Sequence, residues 1–222
     1  MMLHVSDDIL ALGIPAMAIA FEGLTQNDAT GVDAVVDNAI ADIAGQDPGA
    51  VDEHPYLRGF RSLHARIGVR SRDVAAPEAL RRMLLKRGDI PRIGPLVDLY
   101  NALSLRTGLA LGAHALDAIE GGVALRLTDG TERFVPLGTS ADVKVRAGEY
   151  AYVDDAGDVL CRLEVRQGNK TKVVASTTAC LLIVQGNPAT GIQPVRQALL
   201  ELQELVPRCL GGQPLSTVDA AP

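Results

Sequence analysis

Two short stretches of this 222-residue chain carry residue types suited to chemistry. The first runs from Ile93 to Asp117, IGPLVDLYNALSLRTGLALGAHALD. It places Asn101 in an amphipathic segment and His114 among Gly112, Ala113 and Ala115. An imidazole titrates near neutrality and can orient or activate water. Its small neighbours leave room for a ligand, although a surface or hydrogen-bonded structural histidine fits the same pattern. The second stretch is Arg166-Gln167-Gly168-Asn169-Lys170-Thr171-Lys172. Cations, amides, a hydroxyl and a glycine at the end of an apolar run suit an anionic or polar ligand, through oriented donors and close backbone approach. A solvated connection between strands has the same composition.

Regular elements must position both stretches. Pro95 in a first turn and Gly108 after a last one bound a helix. Ile93, Leu96, Val97, Tyr100 and Leu103 form its apolar stripe. Asp98 and Asn101, three apart, share another side. Upstream, Ile14 to Glu22 is a nearly continuous apolar run, which predicts a strand buried on both faces. Helical spacing covers Thr30 to Ala44 and Tyr56 to Ile67, with a loop over Asp47 to Pro55 between them. A further helix lies between Pro77 and Gly88. Leu80, Met83 and Leu84 face inward there, and Arg81, Arg82, Lys86 and Arg87 lie largely outward. Downstream the texture becomes β: Val123 to Leu127, Arg133 to Pro136, Tyr150 to Val153, Val159 to Val165 and Ala179 to Val184. Asp129-Gly130 reads as a hairpin turn and Asp154 to Gly157 as a longer one. Pro194 opens a helix over Val195 to Val206. Residues 1–210 read as one domain of α+β class and 211–222 as a loose tail.

Composition narrows the function classes. Trp is absent and aromatics make up 3% of the chain, which counts against a surface built on base stacking. No run of apolar residues is long enough to span a bilayer, and no basic-plus-apolar leader opens the chain, so the expected location is cytoplasmic. Cys161, Cys180 and Cys209 form no CxxC pair and are expected as free thiols. The four histidines have no metal-ligand spacing, and no dinucleotide, P-loop, serine-elbow or HExxH motif is present, so neither metal nor cofactor is expected. Net charge is −6, but it is unevenly spread. Residues 1–57 hold ten acids and no Lys or Arg, whereas residues 58–106 hold eleven Lys or Arg against four acids. A basic middle suits phosphate contacts. It equally suits internal pairing with the acidic first quarter.

LVDLYNALSLRTGLALGAHALD resembles the signature of the tRNA-binding and editing domain of the phenylalanyl-tRNA synthetase beta subunit. The likeness is closer still to free-standing proteins made of that domain alone. It continues through GGVALRLTDGTERFVPL, YAYVDDAGDVL and RQGNKTKV, over roughly residues 60–186. The resemblance implies a layered β-sandwich of mixed strands with helices packed on one side. It also implies hydrolysis of a mischarged aminoacyl ester at the tRNA 3′ end, without a metal. Asn101 and His114 match editing-pocket positions. Where the family has a glycine pair followed by an acid that reads a tyrosine hydroxyl, this chain has Gln167-Gly168-Asn169, so a hydroxyl there would meet an uncharged amide.

On this reading His114, Asn101 and Thr171 are the catalytic candidates. Arg166, Gln167, Gly168 and Asn169 bind substrate. Arg81, Arg82, Lys86, Arg87, Lys170 and Lys172 meet the acceptor end of tRNA. Two alternatives stay open: a tRNA- or RNA-binding module without catalysis, and a pocket for a free amino acid or small metabolite.

Overall fold

A computed structural model describes residues 3–26, 31–70 and 72–218. In chain order its elements begin with β1 (Leu3–Val5), α1 (Asp7–Leu12), β2 (Ala16–Leu24), α2 (Val32–Ile43), α3 (Ala50–Glu53), α4 (Pro55–Arg66), α5 (Ala76–Arg87) and α6 (Pro95–Thr107). Then follow β3 (Ala110–Ala115), β4 (Val123–Leu127), β5 (Tyr150–Asp154), β6 (Val159–Arg162), β7 (Arg166–Gln167), β8 (Cys180–Gln185), α7 (Ile192–Leu210) and β9 (Gly211–Val218). The fold is α+β, as expected.

The strands form two sheets, ordered β1-β4-β5-β6-β7 and β3-β8-β2-β9. Among the described residues, β1–β4 is the one parallel pair of these strands. Side chains alternate along a strand, and that parity builds the layers. Met17, Ile19 and Phe21 of β2, with Leu182 and Val184 of β8, join a core with α2, α5, α6 and α7. Ala16, Ala18 and Ala20 point the other way with Leu181 and Ile183, and meet Leu125, Tyr150, Tyr152 and Leu160 of the first sheet. The central strands are therefore covered on both sides, which is why β2 reads as a continuous apolar run. Alanines on its inner face let the sheets approach.

Several expectations change. The segment between β4 and β5 is not a hairpin arm. Its Phe134 and Val145 cover the outer face of the first sheet at Ala151, Val153 and Val159. It pairs there through the isolated bridges Arg133–Asp158 and Pro136–Gly168, and the antiparallel partner of β4 is β5. Glu132 holds the redirected turn: its carboxylate accepts from the Asp129 and Gly130 backbone N–H groups at 3.1 and 3.0 Å. Residues 211–218 are not a loose tail. They pair along β2 from Leu24–Gly211 to Ala18–Val218, because β2 has a free edge there; residues 219–222 lie outside the described set, as does Thr30. The loop expected over Asp47 to Pro55 contains α3, and β1 and α1 precede the first expected strand. Ile93 leaves the apolar stripe, at 67% exposure. It lies outside α6, where Asp98 accepts its backbone N–H at 2.8 Å. Among the described residues no helix is long and apolar enough to cross a membrane.

Candidate functional site

The cavity of interest, about 310 Å³, opens between the sheets at β3, the edge strand of the second sheet. Strand parity sets Ala110, Gly112 and His114 on the inner face of β3, in register with Gln185, Ile183 and Leu181. Ala110 and Gly112 are too small to fill the space, and a methyl group added at Gly112 would meet no atom within 4 Å. Tyr100 and Asn101 of α6 line the same cavity, because the helix reaches over the edge strand. The expected juxtaposition of Asn101 and His114 is therefore present.

The late loop closes the free edge of β3. Gln167 Nε2 donates to the Ala113 carbonyl at 3.0 Å, and Ala115 N–H donates to the Thr171 carbonyl at 2.9 Å. The Thr171 hydroxyl shares a 2.8 Å hydrogen bond with His114 Nδ1. Gly168 is needed for this path, since a Cβ there would sit 2.4 Å from the Val159 carbonyl oxygen. The Asn169 N–H donates to the Val135 carbonyl at 2.8 Å. Lys170 anchors the loop inward, with Nζ 2.9, 3.0 and 2.7 Å from Glu120, Asp154 and Asp158. Burial works against its charge, but the three carboxylates outweigh this and raise its pKa. Lys170 is thus a clasp rather than a free cation.

His114 is 2% exposed, and burial pushes its pKa down to about 4. The ring is neutral at physiological pH. With Nδ1 engaged by Thr171, Nε2 is the nitrogen left for a guest of the cavity.

Residues not anticipated from the sequence line the cavity opposite β3. Glu164 and Gln185 are buried, and Tyr152 and Cys161 stand beside them. Tyr152 donates its hydroxyl to Gln185 Oε1 at 2.8 Å, Gln185 Nε2 donates to Glu164 Oε2 at 3.1 Å, and Tyr150 donates to the same oxygen. Glu164 Oε1 lies 2.5 Å from His64 Nε2 on α4, and neither atom has a further hydrogen-bond partner. Burial lowers the His64 pKa, but the hydrogen bond and charge of Glu164, with Asp73 adding to both, outweigh it and the net shift is upward. Glu164 thus favours the protonated form of His64, and burial with the Glu164 charge keeps both tyrosines protonated. Burial also pushes the Cys161 thiol up to about 12. Leu163, in the β6–β7 turn, adopts a left-handed φ of 53° that a bulky residue rarely holds. The parity of 181, 183 and 185 marks Gln185 as inward-facing, and Glu164 is the one acid in the apolar run VLCRLEV. Those were the available signals.

The remaining expected cations scatter. Arg166 is exposed at the cavity rim and Lys172 is exposed beyond it. Lys86 and Arg87 are exposed on α5. The outward face expected for α5 is corrected at Arg81. It is buried, and its guanidinium donates to the Leu105 carbonyl at 2.8 Å. Arg82 pairs with Asp52 and Glu78 at 2.5 and 2.8 Å. Arg92 pairs with Asp33 and Asp37, and Arg61 with Asp52. Part of the basic middle is thus neutralised by the acidic first quarter, as one of the two charge readings anticipated.

A sequence model of the B3/4 domain, found in the phenylalanyl-tRNA synthetase beta subunit, matches residues 59–200. The chain belongs to the B3/4 domain family. The matched span of this B3/4 domain runs from α4 through the cavity to the middle of α7. The crystal structure of an N-terminal fragment of the phenylalanyl-tRNA synthetase beta subunit from Pyrococcus horikoshii is similar in fold, with a TM-score of 0.53 at 12% identity. The alignment covers 96% of this B3/4 chain and 50% of the fragment, so the chain spans half the length of that neighbour. Comparison with curated protein sequences gives no match.

Proposed function

We propose that this B3/4 domain acts on mischarged tRNA in trans, hydrolysing the ester between the amino acid and the 3′-terminal ribose. The observation that carries the reading is that Asn101 and His114 line one cavity of amino-acid size, with the ring fixed by Thr171. In the productive tautomer His114 Nδ1–H donates to Thr171, leaving Nε2 as acceptor for a water. That water attacks the ester carbonyl carbon, the bond to the ribose oxygen breaks, and the water's proton passes through the imidazole to that oxygen. Asn101 holds the carbonyl or the α-amine of the substrate. Arg166 at the rim, Lys172 beyond it, and Lys86 and Arg87 on α5 meet acceptor-end phosphates. An aminoacyl ester is an activated bond, so positioning carries much of the work.

The low His114 pKa favours a second reading. A base whose conjugate acid has a pKa of about 4 removes a proton weakly at neutral pH. Binding of tRNA without hydrolysis is therefore the rival. Release of amino acid from a panel of mischarged tRNAs separates the two. The deacylase reading expects hydrolysis of at least one member, with a fall of about 10²-fold or more in His114→Ala and a lesser fall in Asn101→Ala. Equal rates in both variants and the parent would remove this site assignment. Salt-sensitive tRNA binding with no release would establish the rival. Neither binding nor release would leave a pocket for a free amino acid or small metabolite.

A further inference from the structure

A second depression lies on the face of α4 away from the cavity. It measures about 370 Å³ and is walled by α4 on one side and Pro188 and Ala189 on the other. Arg58, Ser62 and Arg66 line it at intervals of four residues, so they share one stripe of the helix. No acid contributes to the lining. The Arg58 guanidinium has no hydrogen-bond or ion-pair partner among the described residues, and that of Arg66 is bound only to a backbone carbonyl, that of Leu12, at 2.5 Å. The neighbouring arginine on the helix, Arg61, is neutralised by Asp52 and Glu78. One helix thus carries a paired arginine face and an unpaired one.

The opposite wall is rigid. Asn187 is fully buried, donates from Nδ2 to the Tyr56 carbonyl at 2.8 Å and accepts the Ala189 N–H at 3.0 Å. Gly59 permits the contact, since a Cβ there would lie 2.0 Å from Asn187 Oδ1. The 187–190 turn is therefore locked against α4, and the depression does not depend on side chains collapsing into it.

The geometry points to a binding groove for the phosphodiester backbone of a polynucleotide, with Arg58 and Arg66 on separate phosphates and the Ser62 hydroxyl between them. Residues eight apart on a helix are about 12 Å apart along its axis. The bond to the Leu12 carbonyl tethers the Arg66 guanidinium, whereas that of Arg58 carries no such tether among the described residues. That spacing suits two phosphates of one strand better than a single phosphate. The helix that forms this groove also carries His64, which contacts Glu164 at the cavity wall, so a bound strand would run along an element shared with the catalytic candidate site. The inference goes beyond the proposed function, because an RNA-binding protein without hydrolysis would use the groove in the same way.

The test is the salt dependence of binding, by fluorescence anisotropy, of deacylated tRNA and of a single-stranded RNA oligonucleotide. Neutralising one cation that meets a single-strand phosphate lowers the log–log slope by about 0.7, so Arg58→Gln should lower it by that amount and Arg58→Gln/Arg66→Gln by about 1.4. Thermal unfolding checks the double variant, and Arg58→Gln carries the test if Arg66 proves structural. An unchanged slope would overturn the groove. So would a reduction seen only in Lys86→Gln/Arg87→Gln, binding of inorganic phosphate that displaces the oligonucleotide at equal charge, or no RNA binding by the parent at low salt. His114→Ala leaves the slope intact whether or not it abolishes ester hydrolysis, so failure of the deacylase reading is visible separately.

Discussion

Replacing Thr171 with valine isolates the contact on which the site depends. The side chains are nearly the same size and Thr171 is buried, so the change removes one hydroxyl and creates no cavity. His114 Nδ1 then loses its 2.8 Å partner inside the protein, where no other described residue bonds to that nitrogen. Leaving a buried polar atom unsatisfied costs about 1–3 kcal/mol. For a chain of this length each kcal/mol lowers Tm by about 2–4 °C, so calorimetry should show a drop of about 2–12 °C. The second consequence is tautomeric. Without Thr171 neither ring nitrogen is selected, and the ¹⁵N shifts of His114 should move from one dominant neutral tautomer toward a mixture. Under the proposed deacylase function, kcat should fall while KM stays near the parent value. Thr171→Ser keeps the hydroxyl and should restore most of both readouts. Thr171→Val with the parent Tm and the parent ¹⁵N pattern would mean that the hydrogen bond fixes nothing.

Two further outcomes follow from the same geometry. Gly112→Val projects into open space on an edge strand, so stability should change by less than about 1 kcal/mol while ligand binding in the cavity is blocked; unimpaired binding or hydrolysis would place the guest elsewhere. The pH dependence has a definite sign. His114 is held below its ordinary value of 6.5, so the folded state resists the proton that the unfolded chain accepts. The stability it contributes is intact above about pH 6.5 and is lost as pH falls toward 4, a span worth about 3 kcal/mol. His54, lowered by burial and then by Arg81, acts in the same direction, whereas the stability from His64 is present at low pH and lost as pH rises through its raised pKa. Urea denaturation at pH 7 and 4.5 should therefore show a smaller acid loss in His114→Leu than in the parent, and a His114 ring titrating near 6.5 by NMR would contradict its burial.

Local signals were readable where one element decides the outcome. Pro95 and Gly108 bound α6 because a proline tolerates only a first turn and a left-handed residue suits glycine. The apolar run of β2 announced two-sided burial because helices and a sheet cover it. His114 stood out because its small neighbours leave a void. What escaped depends on partners distant in sequence. Helical spacing on α5 alone could not show that the Arg81 side chain reaches inward to the Leu105 carbonyl. Lys170 read as a free cation because its carboxylates come from elsewhere, Glu120 after β3 and Asp154 and Asp158 at the β5–β6 turn. Glu164 and His64 are a hundred residues apart and acquire meaning only when the β6–β7 turn meets α4. Residues 211–218 read as loose because Gly211, Gly212 and Pro214 open the stretch, yet a free edge on β2 supplies the pairing they lack alone.

The placement of His114 on an edge strand has a kinetic side. Strand β3 has a full ladder to β8 on one side only, and the late loop covers the other through a few bonds around Ala113 and Ala115. Those few bonds to β3 can open locally, below the global unfolding free energy, while Lys170 and the Gly168 and Asn169 N–H groups keep the base of the loop anchored. Amide hydrogens along the loop should thus exchange faster than those of β8. The cavity can admit a guest by peeling back its rim while β2 and β8 stay shut. The central strands fix the depth of the site, and the bonds between the loop and β3 set how often it is open.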